Sequence, residues 1–241
     1  MLIKTEAIVL HTTRYSDSRV IADMLTRSHG RLQFIVSLPK SARSKMKRSY
    51  LMPLQVISIE ADLKQRAQLH TIRDASLALS LPALTTNPVK LSLTMFTAEF
   101  LYQATRSEQQ NDGLYDYVRS AVEWLDRASG PVANFHIVLM TRLTRFLGFY
   151  PNTEDYMPHC YFDLRQATFV GVMPLHSQYI GPDEAAVISL FLRVDFATMH
   201  LLRLSRAQRN RVVDVLTDYY RLHLPQFQTP RSIEVLREIF E

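Results

Sequence analysis

Nine residues, Lys40-Ser-Ala-Arg-Ser-Lys-Met-Lys-Arg48, hold five cations and no carboxylate. The chemistry open to them is electrostatic rather than covalent. Lys40, Arg43, Lys45, Lys47 and Arg48 would each release a counterion on meeting a phosphate, so a nucleic acid is the natural anionic companion for such a run. A solvated surface loop is the plainer alternative. The distribution of charge favours the first reading: residues 1–80 carry 13 Lys/Arg against 6 Asp/Glu, a net of +7, whereas residues 81–241 have a net of −2. The basic character belongs to the N-terminal third.

Other reactive residues do not assemble into a recognisable constellation. His159, Cys160 and His176 fall in one irregular stretch and raise the question of zinc. A structural zinc site normally takes four ligands with paired cysteines, and this chain has one cysteine, so no metal is expected. That cysteine cannot form an internal disulfide, as suits a reducing cytoplasm, and an idle or buried thiol is the simplest reading of it. Glu154, Asp155, Asp163, Asp183 and Glu184 are scattered at turns and helix starts, where carboxylates serve as caps. Six glycines, none in a phosphate-cradling loop, leave nucleotide hydrolysis without support. Neither an enzyme nor a cofactor is expected. No apolar run approaches membrane-spanning length and the start does not read as a signal peptide, so a cytoplasmic protein is anticipated, nucleoid-associated where the anionic companion is DNA.

The elements that must position the cations are short strands. Residues 2–10 read as a first strand, His11 to Ser18 as a polar loop, and 19–27 as a second strand. A tight turn at Ser28-His29-Gly30 leads to a third strand over 31–38, with Leu32, Phe34, Val36 and Leu38 on one face. That apolar face assigns Phe34 to the core rather than to a base-stacking platform. Val56 to Glu60 and 66–73 supply a fourth and a fifth strand. Five strands in about 75 residues with a long, basic third connection predict a small OB-like β-barrel, although an SH3-like barrel would show the same periodicity.

Near residue 80 the pattern turns helical. Asn87 and Pro88 predict an N-cap and first helical position for a helix over 88–106. Further helices are expected at 113–128, 131–147, 183–193, from Ser205 to about His223 behind a Ser205/Gln208 capping box, and after Pro230. Tyr219 and Tyr220 fall with Val212, Val213 and Leu216 at helical spacing and read as core. Arg206, Arg209, Arg211 and Arg221 read as mostly solvated. Residues 150–182 form an irregular insertion with a hairpin around Tyr161–Val172. The expectation is thus an α+β chain: an OB-like nucleic-acid-binding barrel over 1–80, then a helical domain over 81–241.

The order of these parts resembles the RecO family of recombination mediators. Lys4-Thr-Glu-Ala-Ile-Val-Leu-His11, Leu25-Thr26 with Gly30-Arg31-Leu32, the cationic loop 40–48 and Leu51-Met-Pro-Leu54 are similar to that family's barrel. Phe146-Leu-Gly-Phe-Tyr-Pro151, Tyr219-Tyr-Arg-Leu-His223 and Arg231-Ser232 with Leu236 resemble its helical part. The resemblance implies a non-enzymatic protein that binds single- and double-stranded DNA, anneals complementary strands and helps load a recombinase onto DNA coated by single-strand-binding protein. It implies two protein partners, a RecR-like protein and the acidic C-terminal tail of single-strand-binding protein. It places Lys40, Arg43, Lys45, Lys47 and Arg48 at phosphate-binding positions; Arg14 and Arg31 join them from their expected places beside the same barrel face. For the tail, helix 131–147 offers Phe135, Leu139 and Leu143 with Arg142 and Arg145 as a cationic lip. Many relatives carry two C-x-x-C pairs where this chain keeps only Cys160, so zinc does not carry over. The reading from another class is an RNA-binding or ribosome-associated module built on the same barrel.

Overall fold

The computed structural model describes residues 1–38, 46–64, 67–106 and 108–239. The chain forms two compact units, Met1–Arg127 with Pro230–Ser232, and Ala128–Thr229 with Ile233–Glu241.

In the first unit, strands β1 (Leu2–Ser16), β2 (Arg19–Thr26), β3 (Gly30–Ser37), β4 (Val56–Asp62) and β5 (Leu69–Leu77) close into a barrel of order β1-β2-β3-β5-β4. All pairings are antiparallel except β3 with β5, where Gln33, Phe34 and Ile35 run alongside Leu69, His70 and Thr71. A simple meander has no parallel pair, and this one marks the closure as OB-like. Ala7, Val9, Ala22, Met24, Phe34, Val36, Ile57 and Ile59 fill the interior. Phe34 is fully buried, as its position on the apolar face required.

β1 departs from expectation. Residues 11–16 read as a loop because they are polar and lack a period, yet the strand continues through them to Ser16. Its first half pairs with β4 and its second with β2, so the cross-strand ladder satisfies the backbone where side-chain burial does not. Two register shifts, between Val9 and His11 and between Arg14 and Ser16, let the long strand bend around the barrel and leave Leu10 and Tyr15 without an opposite residue. β5 begins at Leu69 and runs on to Leu77, later than the sequence pattern indicates.

A short helix α1 (Ala83–Thr86) leads into α2 (Pro88–Ala104) and α3 (Asp112–Arg127). α2 starts as its sequence predicts, with the Asn87 side chain accepting from the Val89 and Lys90 amides. Asp126 stands in as the cap of α1, accepting from the Ala83 and Leu84 amides at 2.8 and 3.1 Å. Glu99 of α2 accepts from the Arg231 and Ser232 amides and the Ser232 hydroxyl at 2.9, 2.9 and 2.6 Å, tying the returning segment to this unit. Burial pushes the Glu99 carboxyl up, but these hydrogen bonds outweigh it and hold the group below its ordinary range.

In the second unit, α4 (Phe135–Leu147), α5 (Pro182–Arg193), α6 (Arg206–His223) and α7 (Ile233–Ile239) accompany a small sheet. The irregular insertion contains that sheet: β6 (Tyr161–Asp163) is flanked by β7 (Thr168–Val170) and β8 (Tyr179–Ile180). The capping box at Ser205 and Gln208 is present. Tyr219 and Tyr220 are buried, and their hydroxyls donate to the Phe149 and Met140 carbonyls at 2.6 and 2.8 Å. The α6 arginines are not merely solvated: Arg206 donates to the Arg237 carbonyl, Arg209 to Asn134 and the Leu204 carbonyl, Arg211 pairs with Glu184 and Arg221 with Asp218.

Two glycines with positive φ make a paired prediction. Gly30 turns β2 into β3 at φ +65, and a Cβ there would lie 2.4 Å from the Gln109 carbonyl carbon; Gly148 ends α4 at φ +84 with nothing within 4 Å of its would-be Cβ. Gly148→Ala should cost only the left-handed strain, about 1–2 kcal/mol. Gly30→Ala adds a backbone clash and should cost clearly more in urea unfolding; equal losses would show that the 108–109 backbone yields freely.

His136 supplies a pH dependence. It is fully buried in α4, and burial, then the Arg209 charge, push it down to about 3 from 6.5. Its neutral form favours the fold, so its contribution is intact above pH 6.5 and is lost as pH falls from there, at about 1.4 kcal/mol per unit. Urea unfolding of wild type and His136→Gln at pH 7.5, 6 and 5 should therefore show the gap between them narrowing on acidification.

Candidate nucleic-acid interface

The described cations of the barrel fall into two groups. Lys4 pairs with Glu60, Arg14 with Asp17, Arg27 with Asp116 and Arg73 with Asp62. Such pairs are largely neutralised locally and contribute little to a long-range field. Arg19, Lys47, Arg48 and Lys64 have no carboxylate within ion-pairing distance among the described residues, and all four are exposed. These are the charges left available to an outside anion.

Arg31 corrects the sequence reading. It was grouped with the surface cations, but its side chain is 7% exposed and its guanidinium lies 2.9 Å from Asp23, itself buried. The same group donates to the Tyr102 carbonyl at 3.0 Å and the Thr105 hydroxyl at 3.3 Å, and sits 4.6 Å from the centre of the Tyr102 ring. Gln33 completes the cluster by donating to Asp23 at 3.0 Å. A phosphate would have to displace helix α2 to reach Arg31. Its work is to fasten α2 over the outer face of β2 and β3.

That fastening defines the open part of the face. By register, Arg19, Ile21, Asp23 and Leu25 of β2 stand outward opposite Ser37, Ile35, Gln33 and Arg31 of β3. α2 takes the Asp23–Arg31 end. At the other end Ile21 and Ile35 are half-buried and Arg19 and Ser37 are exposed. Two connections bound this face, the Asp17-Ser18 turn between β1 and β2, and the β4–β5 connection with Lys64 at its start. In OB-folds the strand 2–3 face and these two loops are where oligonucleotides are bound.

Of the basic run, Lys40, Arg43 and Lys45 lie outside the described residues. Lys47 and Arg48 are described: Arg48 opens a helical turn (Arg48–Leu51), and the Lys47 ammonium stands 5.8 Å from the Tyr50 ring centre. Met46, Tyr50 and Leu51 pack against the barrel core, which seats both cations at the barrel wall. Leu38, the last described residue before the run, is tied to the hairpin turn, its amide donating to the Ser18 carbonyl at 2.8 Å. Arg14 is exposed in that turn but engaged by Asp17. Arg19 and Lys64 were missed by sequence reasoning; Arg19 stands opposite Ser16 and Ser37, a pairing that only the register reveals.

In the second unit, the proposed slot on α4 does not exist as drawn. Phe135, Leu139 and Leu143 are fully buried, because that face is spent on the unit's own core. Arg142 donates to the Val194 carbonyl at 3.0 Å, and Arg145 donates to the Tyr150 hydroxyl at 2.8 Å and lies 4.1 Å from its ring centre. An open groove of about 290 Å³ lies instead between α5 and α6, walled by Val187, Ile188, Val212 and Val215 with Arg211 at its edge. Cys160 is buried, and the His176 ring lies 3.1 Å from the Asp163 carboxylate. Among the described residues no group of three or more His, Cys, Asp or Glu could hold a metal ion, and no helix is long and apolar enough to cross a membrane.

Comparison with known proteins follows the two-part layout. The family profile described as Recombination protein O N terminal matches residues 1–81, and the one described as Recombination protein O C terminal matches residues 85–232. The chain is 45% identical over 240 residues to DNA repair protein RecO of Phocaeicola vulgatus, 41% over 242 residues to that of Bacteroides fragilis and 36% over 248 residues to that of Porphyromonas gingivalis. In each case the match covers 100% of both chains. Matched from end to end in this way, and carrying the barrel-then-helices order that its residues predict, the chain belongs to the RecO family of DNA repair proteins.

Proposed function

We propose that this chain is a non-enzymatic recombination mediator that binds single-stranded DNA, anneals complementary strands and helps load a recombinase onto DNA coated by single-strand-binding protein. The observation that carries the reading is the set of exposed cations with no carboxylate partner among the described residues, Arg19, Lys47, Arg48 and Lys64, on an OB-like barrel in a chain that matches DNA repair proteins over its full length. Annealing follows from the same electrostatics. A surface that neutralises two polyanions lowers their repulsion while their bases find partners. A RecR-like protein and the acidic tail of single-strand-binding protein are the partners proposed, with the tail on apolar surface other than the buried face of α4. No zinc is required for any of this, and purified protein should contain none in stoichiometric amount by elemental analysis; one retained zinc per chain would overturn that.

Strand annealing of complementary oligonucleotides coated with intact or tail-less single-strand-binding protein tests the function directly. The chain should accelerate annealing, and loss of the tail should change the rate. Its binding to single strands should weaken with salt at a log–log slope of about 0.7 per phosphate contacted. Lys47→Ala/Arg48→Ala should flatten that slope by about 1.4 and weaken all sequences alike, because phosphate contacts position a strand without reading it. Absence of annealing, or tighter binding to an equal-length RNA competitor, would move the reading to an RNA-binding module.

A further inference from the structure

The β1–β2 hairpin forms an arm whose β1 side is open to solvent, while β2 is paired along its length with β3. Every residue from His11 to Arg19 is exposed, in contrast to Ala7–Leu10 and Ala22–Leu25 at its base, which are buried. Residues 11–16 of β1 gain nothing from burial, and their sequence lacks the apolar alternation that would ask for it. Yet it holds one large aromatic side chain in the open: Tyr15 is 59% exposed. The register shows how it is presented. Arg14 pairs with Val20 and Ser16 with Arg19, so Tyr15 is the extra residue of a β-bulge. Bulges re-aim side chains and recur beside functional sites.

Its surroundings identify the occupant. Arg19, with no carboxylate partner, lies across the strand pair from the next residue, Ser16. The open end of the β2–β3 face begins at Arg19, and residue 38, from which the basic run departs, is bonded to Ser18. An exposed ring beside an exposed cation, at the open end of the β2–β3 face, suits a ligand that is anionic along its backbone and flat at intervals. An unpaired nucleic-acid strand is such a ligand; a duplex keeps its base faces stacked internally and offers them only at its ends. An acidic protein would satisfy the cations but leave the ring without a flat partner.

We infer that Tyr15 is a base-stacking residue, which makes the β1–β2 arm the element that distinguishes single-stranded from double-stranded DNA. The proposal rests on the reading of the barrel as a DNA-binding surface and adds a contact of a different kind to it. Phosphate contacts respond to salt, whereas a stack does not, so the two separate experimentally.

The test measures fluorescence anisotropy of a labelled oligo-dT and of a blunt duplex of equal length, across a salt series, with the full chain. Tyr15→Ala should weaken oligo-dT binding on the order of tenfold, the loss of one base–aromatic stack, with the wild-type salt slope retained. Tyr15→Phe should bind as wild type, since the ring and not the hydroxyl makes the contact. Binding to the blunt duplex should change less than twofold, and the melting temperature of both variants should match wild type, as the side chain packs on nothing the fold needs. Unchanged oligo-dT affinity in Tyr15→Ala would overturn the proposal, as would equal losses on single strand and duplex, or a failure of Tyr15→Phe to bind. If Lys47→Ala/Arg48→Ala flattens the salt slope while Tyr15→Ala binds normally, the DNA-binding reading stands and the stacking role falls. If wild type binds neither DNA, both fall together.

Discussion

The barrel's use of its own surface turns on the buried ion pair between Asp23 and Arg31. Two charges removed from water are costly to hold, and an isolated pair in the interior recovers that cost only with good geometry and further hydrogen bonds. Here the guanidinium also meets the Tyr102 carbonyl, the Thr105 hydroxyl and the Tyr102 ring, while Gln33 supports the carboxylate. Removing either partner would leave the other buried and uncompensated, so the contact commits one end of the β2–β3 face to α2. What remains for a ligand is the opposite end, toward Arg19 and the hairpin. Gly30 belongs to the same arrangement, since its missing Cβ lets the backbone at Glu108 and Gln109 approach and accept from the Arg31 amide at 3.1 Å.

A second consequence concerns charge. Net charge by itself says only that the N-terminal third attracts anions; pairing decides which cations are free to act. Among its described arginines, Arg14, Arg27, Arg31 and Arg73 each face a carboxylate. Arg19 opens β2 beside the β1–β2 turn, and Lys47, Arg48 and Lys64 stand on the β3–β4 and β4–β5 connections. The unneutralised charge thus gathers at the connections and at the start of β2, where a polyanion could be bound without breaking an internal pair.

The second unit answers a different constraint. Its insertion consists of strands of two or three residues, too short to be stable as an isolated sheet. Aromatic packing anchors it: Phe162 lies 4.8 Å from Phe169 and 5.9 Å from Tyr219, and His223 of α6 bonds the Leu164 carbonyl at 2.8 Å. The insertion is thus a hydrophobic cluster seated on α6.

Periodicity in the sequence determined most of the elements. The 31–38 alternation places Phe34 in the core, Asn87-Pro88 starts α2, and Ser205 with Gln208 starts α6, because burial and capping are local demands that leave a local pattern. The cationic run and its location in the N-terminal third were equally legible. Residues 11–16 were not, because a ribbon exposed on both faces has no apolar period and is held only by cross-strand hydrogen bonds. The fates of Arg31 and of Phe135, Leu139 and Leu143 were decided by tertiary structure as well. A sequence shows that a side chain is charged or apolar, but which partner reaches it depends on residues far away, Asp23 and Tyr102 in the one case and the surrounding helical core in the other. Composition therefore located the basic character in the barrel, and packing alone determined which of its described cations remain exposed.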